Sequence, residues 1–255
     1  MMGAAMGEVA TDRQVAVLTG KDALAFLQGL VTNDVLPLAK GPGIVWTAIL
    51  SAQGKYLADF FVVNTGEALL LDLPASVAGA TLRRLAMYRL RAEVQIAAVD
   101  MVVTRGLGVA PPGALPDPRH AALGWRGYGL PASGEPAIDW TAIRVAHLIP
   151  ETGAELVPDD SYILEMGFER LHGVDFRKGC YVGQEVTARM KHKTALKKGL
   201  ARVRLVGQAD PGTPILQGDR PAGTLHSVAG DRALAWLRFD RTEGLTAGGA
   251  SVFPD

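Results

Sequence analysis

Strand pairs that alternate with single helices are the feature of this sequence that most restricts its fold. The segments IVWTAIL (44–50) and YLADFFVV (56–63) flank the turn-forming SAQGK, which is typical of two adjacent antiparallel strands. Because helices follow strand pairs rather than single strands, the pattern favours an α+β fold over a doubly wound parallel sheet. The residues after this hairpin are predicted to form a strand, a helix and two further strands, at 68–73, 75–90, 92–99 and 101–104.

Other helices are predicted at 20–31 and from Asp139 to Pro150. Within 75–90, an apolar face is expected from Val77, Leu82, Leu85 and Met87.

The second half of the chain is richer in turn signals. Residues 106–136 are rich in Gly and Pro, and the pattern leaves open a linker or short sheet pieces joined by loops. Residues 199–255 contain short apolar runs without a helical period, which predicts a small β-barrel or sandwich. We therefore divide the chain into two α+β subdomains and a C-terminal barrel, at 1–105, 106–198 and 199–255.

Composition excludes several classes of protein. The 26 basic and 26 acidic residues cancel, so the molecule as a whole is not a binder of polyanions. No apolar run approaches 18 residues and no basic leader precedes an apolar segment, so we expect a soluble, cytoplasmic protein without a membrane partner. The single cysteine, Cys180, excludes an internal disulfide and any metal or cluster site built from this chain's thiolates alone.

The segment DFRKGCYVGQEVTARMK (175–191) carries the strongest chemical signal. Cys180 follows Arg177 and Lys178 and precedes a predicted helix at 184–190, and both features stabilise a thiolate. The alternative is a small buried hydrophobic residue. Seven basic residues and one acid between 177 and 198 predict an anion site or a solvated basic helix, and since Tyr181 is the only aromatic there, sequence-specific RNA binding is not supported. The basic residues are Arg177, Lys178, Arg189, Lys191, Lys193, Lys197 and Lys198.

The octapeptide KGCYVGQE (178–185) resembles the signature of the YgfZ family, folate-binding relatives of the glycine-cleavage aminomethyltransferase. With the following VTAR, it is similar above all to the mitochondrial iron–sulfur assembly factor of that family. The segments 20–35, 162–169 and 218–238 also resemble the family. The resemblance implies an aminomethyltransferase-like α+β fold with a small C-terminal β-barrel.

The resemblance also implies roles for particular residues. Asp59 matches the acid beside the reactive nitrogens of tetrahydrofolate, and Glu165 matches the glutamate that binds the pterin ring, although it could instead pair with a nearby base. Ala58 and Leu71 replace an acid and a tyrosine of the aminomethyltransferase, which argues against glycine cleavage itself. Five side chains in and after the loop are assigned to folate binding: Lys178, Tyr181, Gln184, Glu185 and Arg189. For Gln184 and Glu185, capping of the following helix is the alternative.

The function implied is that of a tetrahydrofolate-binding accessory factor for assembly or repair of iron–sulfur clusters, with [4Fe–4S] enzymes, among them radical enzymes that modify tRNA, as clients. Cys180 would act as nucleophile or as one ligand of a shared cluster, and iron–sulfur carrier or client proteins would be the partners. The basic loop suits a polyglutamated folate. A folate-dependent one-carbon transferase using Asp59 and Cys180, and an RNA-binding module, stay open as alternatives, and the sequence does not decide whether a reaction is catalysed.

Overall fold

A computed structural model describes residues 6–132, 137–192 and 195–255. The chain divides into two compact units, the first formed by residues 1–138 and 169–184 and the second by residues 139–168 and 185–255. These limits differ from the breaks at 105/106 and 198/199 proposed above, because the segment 169–184 returns to the first unit. The three-part division itself stays a prediction.

The described part of the first unit is built from strands, two α-helices and two short 3₁₀ helices at Leu36–Lys40 and Ala121–Leu123. The α-helices are α1 (Ala23–Gln28) and α2 (Ala75–Tyr88). The strands are β1 (Met6–Val9), β2 (Arg13–Thr19), β3 (Gly43–Leu50), β4 (Tyr56–Asn64), β5 (Leu69–Pro74), β6 (Gln95–Val99), β7 (Val103–Leu107), β8 (Leu115–Pro116) and β9 (Trp125–Tyr128).

These strands form two antiparallel sheets. The first has the order β3-β4-β5-β2-β6 and the second β1-β7-β9-β8. Strand β4 is buried along nearly its whole length, and alternate residues therefore serve different layers. Ala58, Phe60 and Val62 belong to the apolar core with α1 and α2, while Asp59 and Phe61 point to the opposite face.

The second unit holds α3 (Trp140–His147), the part of α4 (Gln184–His192) after Gln184, and six strands. The strands close into a barrel of order β10-β13-β12-β11-β14-β15 around an apolar core. They are β10 (Lys198–Val206), β11 (Pro214–Gln217), β12 (Arg220–Ala229), β13 (Arg232–Arg238), β14 (Leu245–Ala247) and β15 (Ala250–Pro254).

The predicted fold class is confirmed: the chain is α+β with antiparallel sheets and a closed C-terminal barrel. Two local expectations need correction. The helix expected over 20–31 is confined to Ala23–Gln28, and Met87 is 69 % exposed rather than on the apolar face of α2. Among the described residues, no helix is long and apolar enough to cross a membrane.

Candidate functional site

The single thiol of the chain lies on a loop of the first unit. We call residues 175–184 the cysteine loop; Cys180 is exposed near its middle, next to the buried Tyr181. Gln184 ends the loop as the first residue of α4. The exposed thiol therefore rules out the interpretation of Cys180 as a small buried hydrophobic residue.

Lys178 anchors the cysteine loop from within. Its side chain is buried, and Nζ donates to the carbonyl oxygen of Gln28 at 2.6 Å and to that of Val31. These carbonyls lie at the end of α1, where a helix lacks partners for its last acceptors and favours a cation. Burial lowers the pKa of Lys178 to about 8, against the opposing attraction of Asp34 and Asp175.

Gly183 provides a second anchor through a close backbone approach. Its φ is +82°, and a Cβ atom there would lie 2.4 Å from the carbonyl oxygen of Ser51 in the β3–β4 turn. A side chain would therefore be strained by the backbone conformation and would collide with the turn. Gly179, on the other side of Cys180, would meet nothing within 4 Å.

Polar contacts hold the chain just before and at the start of the cysteine loop. Thr32 Oγ1 donates to the Gly173 carbonyl at 2.7 Å, and the Asp175 backbone N–H donates to the Thr32 carbonyl at 3.1 Å. The Asn33 amide donates to the His172 carbonyl at 2.6 Å. A hollow of about 420 Å³ lies beside these contacts and is lined by Asn33, Glu169, His172, Val174, Asp175, Phe176 and Arg177.

The basic residues of 177–198 are divided between the two units and have different environments. Lys178 is buried in the first unit, Arg189 forms an ion pair with Glu185 in the second, and Lys198 approaches Glu165. Lys191 and Lys197 are exposed, while Lys193 lies outside the described residues. Among the described residues of this segment, Arg177 of the first unit and Lys191 and Lys197 of the second are therefore exposed cations, whereas Lys178 is buried.

Asp59 is enclosed by donors of its own sheet. The Trp46 indole N–H donates to Oδ2 at 2.7 Å, and the Tyr56 hydroxyl donates to Oδ1 at 2.8 Å. All three side chains are buried. Each carboxylate oxygen thus has a donor, which explains how an acid persists in an otherwise apolar strand.

A charged layer lies between the two sheets on the same face as Asp59. Asp72 Oδ1 accepts from Arg13 and Oδ2 from Arg126, both at 2.7 Å, and the Tyr128 hydroxyl donates to Oδ2 at 2.9 Å. Although burial alone would raise it, the two guanidinium groups hold the pKa of Asp72 below its usual value. We use the name ionic layer for Arg13, Asp72, Asp117, Arg119 and Arg126.

The other ion pair of the ionic layer, Asp117 with Arg119, lies within electrostatic range of Asp59. Arg119 pairs with Asp117 at 2.7 Å, and its guanidinium lies 5.0 Å from the Phe61 ring centre. Burial opposes ionisation of Asp117, but Arg119 still holds the pKa of that carboxyl below its usual value. Burial alone would lower the pKa of Arg119, but Asp117 raises it above its usual value, with a smaller contribution from Asp59.

Glu165 lies in the second unit and is less enclosed. The Trp236 indole N–H donates to Oε2 at 3.1 Å, and Lys198 Nζ lies 3.8 Å from Oε1 and 4.8 Å from the Trp236 ring centre. The Glu165 backbone is fixed on β10, since its carbonyl accepts from Leu200 and a Cβ atom on Gly199 would lie 2.7 Å from it. The carboxylate is buried but keeps acceptor capacity, because a carboxylate has about four acceptor positions.

The predicted site residues are thus divided between the units. Asp59, Lys178, Cys180, Tyr181 and Gln184 belong to the first unit. Glu165, Glu185 and Arg189 belong to the second. Their roles stay predictions.

Sequence reasoning missed the residues that hold these side chains. Trp46 and Trp236 had no local signal, because they contact their acids across 13 and 71 positions of the chain. Tyr56 lies three residues before Asp59 in the same strand, but the alternation of the strand does not indicate a contact between them. Asp72 had one, as a lone acid within the apolar run ALLLDL. Within the described ranges, no group of three or more His, Cys, Asp or Glu side chains is placed to hold a metal ion.

The barrel and the chain have recognisable relatives. Residues 197–255 match the family model "CAF17, C-terminal beta-barrel domain". The chain is 30 % identical to "Iron-sulfur cluster assembly factor IBA57, mitochondrial" of Mus musculus and of Homo sapiens, covering 91 % of this chain and 77 % of each relative. It is 30 % identical to the IBA57 homolog of Mycosarcoma maydis, covering 85 % of this chain but only 59 % of that longer protein.

A solved structure shares the fold. The glycine cleavage system aminomethyltransferase T from Bartonella henselae superposes with a TM-score of 0.74 over 92 % of this chain and 79 % of that one, at 15 % identity. At this identity the likeness establishes architecture alone. The resemblance proposed from KGCYVGQE and the aminomethyltransferase-like fold are both confirmed.

The comparison with sequence relatives shows that the expected cytoplasmic location is wrong. The relatives from Mycosarcoma maydis, mouse, human and Neurospora crassa are all named as mitochondrial proteins. The expectation rested on the lack of a leader in the printed sequence, which is weaker evidence than the names of four relatives.

Proposed function

Because this chain belongs to the family of iron–sulfur cluster assembly factors that includes IBA57 of mouse and human, we propose that it is a tetrahydrofolate-binding accessory factor in the assembly or repair of [4Fe–4S] proteins. Its clients include radical enzymes that modify tRNA, and its reactive group is the Cys180 thiol. The observation that carries the proposal is an exposed thiol on a loop fixed by Lys178 and Gly183.

The geometry of the cysteine loop suits the transfer of a cluster as cargo. A [4Fe–4S] cluster takes four thiolate ligands and this chain has one cysteine, so the others must come from a partner protein, a second copy of the chain or glutathione, and a carrier or client protein provides them in this proposal. The Cys180 thiol binds one iron as thiolate and displaces one thiolate of the carrier, which takes up the proton that Cys180 loses. Client thiols then displace Cys180 and the remaining carrier thiolates by the same exchange of a proton for an iron bond, and no change of oxidation state is required.

A transfer assay tests this role. An iron–sulfur carrier loaded with cluster is mixed with an apo [4Fe–4S] enzyme, and recovery of visible absorbance and enzyme activity is followed with and without this protein. We expect Cys180→Ala and Cys180→Ser to abolish the acceleration, whereas the neighbouring exposed Arg177→Gln keeps it. Equal acceleration by wild type and Cys180→Ala would remove the thiol from the proposal.

Glu165 supports the folate part of the proposal. A carboxylate with remaining acceptor capacity can accept the two adjacent N–H groups of a pterin edge, and the buried position shields those bonds from water. The acceptor oxygens of Glu165 therefore fit the N–H edge of the pterin. Tetrahydrofolate supplies nitrogen atoms that carry one-carbon groups, while Glu165 binds and orients the ring. The exposed Lys191 and Lys197 suit a polyglutamate tail.

Calorimetric titration with reduced tetrahydrofolate tests this part separately. We expect wild type and Cys180→Ala to bind, and Glu165→Gln to bind at least tenfold more weakly because an amide donates where the pterin also donates. The exposed Glu243→Gln is the matched control and should bind as wild type does. A wild type that does not bind would end the folate proposal and leave the cluster-transfer role to its own assay.

A further inference from the structure

The residue after the C-cap of α2 has an unusual conformation. α2 ends at Tyr88, Arg89 is its C-cap, and Leu90 follows with φ of +43°. Glycine or asparagine is normal at this position, because in the left-handed region the Cβ atom of an L residue comes too close to the following carbonyl oxygen, and only the short polar side chain of asparagine compensates by a local hydrogen bond. The turn is nevertheless well defined, since the Ala92 N–H donates to the Arg89 carbonyl at 2.8 Å and the Val94 N–H to the Ala92 carbonyl at 2.9 Å.

Packing does not explain Leu90, because its side chain is 89 % exposed. Leu148 provides the comparison within the same chain: it follows α3 with φ of 53°, but it is partly buried. Burial compensates the strain at Leu148, whereas Leu90 has strain without burial. Strain that the fold does not use points to a function of the exposed side chain.

The residues just before and after Leu90 in the chain are apolar and basic, although the exposed Glu93 lines the same surface hollow as Arg89, Leu90 and Arg91. Met87 and Tyr88 are exposed beside it in sequence. Residues 75–92 contain four arginines and no acid. The nearest acid along the chain, Glu93, forms an ion pair with Lys21 at 2.6 Å. We use the name arginine tip for Arg83, Arg84, Met87, Tyr88, Arg89, Leu90 and Arg91.

We propose that the arginine tip binds the surface of an anionic lipid bilayer. Leu90 and Met87 enter the boundary between headgroups and acyl chains, and the guanidinium groups pair with lipid phosphates. The charge is complementary to such a surface, and a projecting leucine needs no preformed hollow in its partner. A second copy of the chain meeting the tip symmetrically would bring like charges together, and a protein partner would need an acidic surface around an apolar hollow.

This inference goes beyond cluster assembly and departs from the expectation of no membrane partner. It concerns peripheral binding, by one turn of the first unit. It also explains why the arginine tip is basic while the whole chain has no net charge: attraction to the bilayer needs only local charge within about 10 Å, the screening length at moderate ionic strength.

Flotation with lipid vesicles tests the proposal on the full chain. The probes are vesicles of phosphatidylcholine alone and vesicles that also contain about 30 % phosphatidylglycerol. Phosphatidylglycerol is anionic and gives the vesicle surface a negative potential. We expect binding to the anionic vesicles only, decreasing as salt rises. Leu90→Gly should bind about tenfold or more weakly because it lacks the leucine side chain that enters the bilayer, and Arg83→Gln/Arg91→Gln should lose a similar factor.

Matched variants separate lipid contact from folding. Leu90→Gly relieves the left-handed strain, so its melting temperature should equal or exceed that of wild type while binding falls. Leu36→Ala changes another exposed apolar residue and Arg220→Gln another exposed arginine, and both should bind like wild type. The proposal is overturned if wild type stays unbound with anionic vesicles, if Leu90→Gly binds equally well, or if Leu90 instead proves to mediate self-association in sedimentation without lipid.

Discussion

The first unit contains two polar regions of opposite design, the ionic layer and the cysteine loop. In the ionic layer, every acid is buried and meets two or more donors or cations between two sheets. In the cysteine loop the Cys180 thiol is exposed, and the residues on either side of it, Lys178 and Gly183, are fixed. Polar residues that hold the fold can therefore be distinguished from those available to another molecule by how deeply they are buried and by how many donors or counter-charges they contact.

The largest expected effect belongs to the ionic layer. Asp72→Asn keeps the shape of the side chain but leaves Arg13 and Arg126 without their buried counter-charge, which should lower the free energy of unfolding by about 3–5 kcal/mol. Urea denaturation measures it. Asp240→Asn, which removes the partner of the exposed Arg238, is the control and should leave the urea midpoint close to that of wild type. Equal costs for the two variants would break the contrast between buried and exposed charge.

Asp59 tests whether a buried acid outside the ionic layer stabilises the fold or serves to bind a ligand. Asp59→Ala leaves the Trp46 N–H and the Tyr56 hydroxyl buried without this acceptor, so a loss of about 2–4 kcal/mol is expected. The same unfolding curves give the value, and Glu165→Gln, with one indole donor, should lose about 1 kcal/mol. If Asp59→Ala unfolded like wild type but lost folate binding, Asp59 would belong to the ligand rather than to the fold.

The sequence predicts the hairpin well and the ionic layer poorly, for a physical reason. The alternation in 44–50 and 56–63 is local, so β3 and β4 are found to within a residue of the predicted ends. Arg13 and Arg126 reach Asp72 across 59 and 54 positions, and nothing in a local period encodes such a meeting. Lys178 is similar: its charge suggested an anion site, but its partners are carbonyls about 150 positions earlier.

Gly183 and Gly179 sharpen the comparison within the cysteine loop. Gly183→Ala places a Cβ atom against the Ser51 carbonyl in a left-handed conformation, and a loss of about 2 kcal/mol in unfolding free energy is expected. Gly179→Ala meets open space and should change stability by less than about 0.5 kcal/mol. Hydrogen exchange of the loop amides should accelerate only in Gly183→Ala. Unchanged exchange there would mean that the β3–β4 turn does not hold the loop.

The smallest effect concerns pH and the Lys178 anchor. The pKa of Lys178 falls from 10.5 to about 8 on folding because burial disfavours the ammonium, so the unfolded chain binds more protons between these values. Stability should therefore rise as pH increases from about 8 to about 10.5, by about 1 kcal/mol once screening by solvent is allowed for. Urea midpoints across this range would show the rise in wild type and its loss in Lys178→Met, with the exposed Lys191→Met behaving like wild type. A rise that persisted in Lys178→Met would assign it to another group, and the anchor would then be a neutral contact rather than a buried cation at the end of α1.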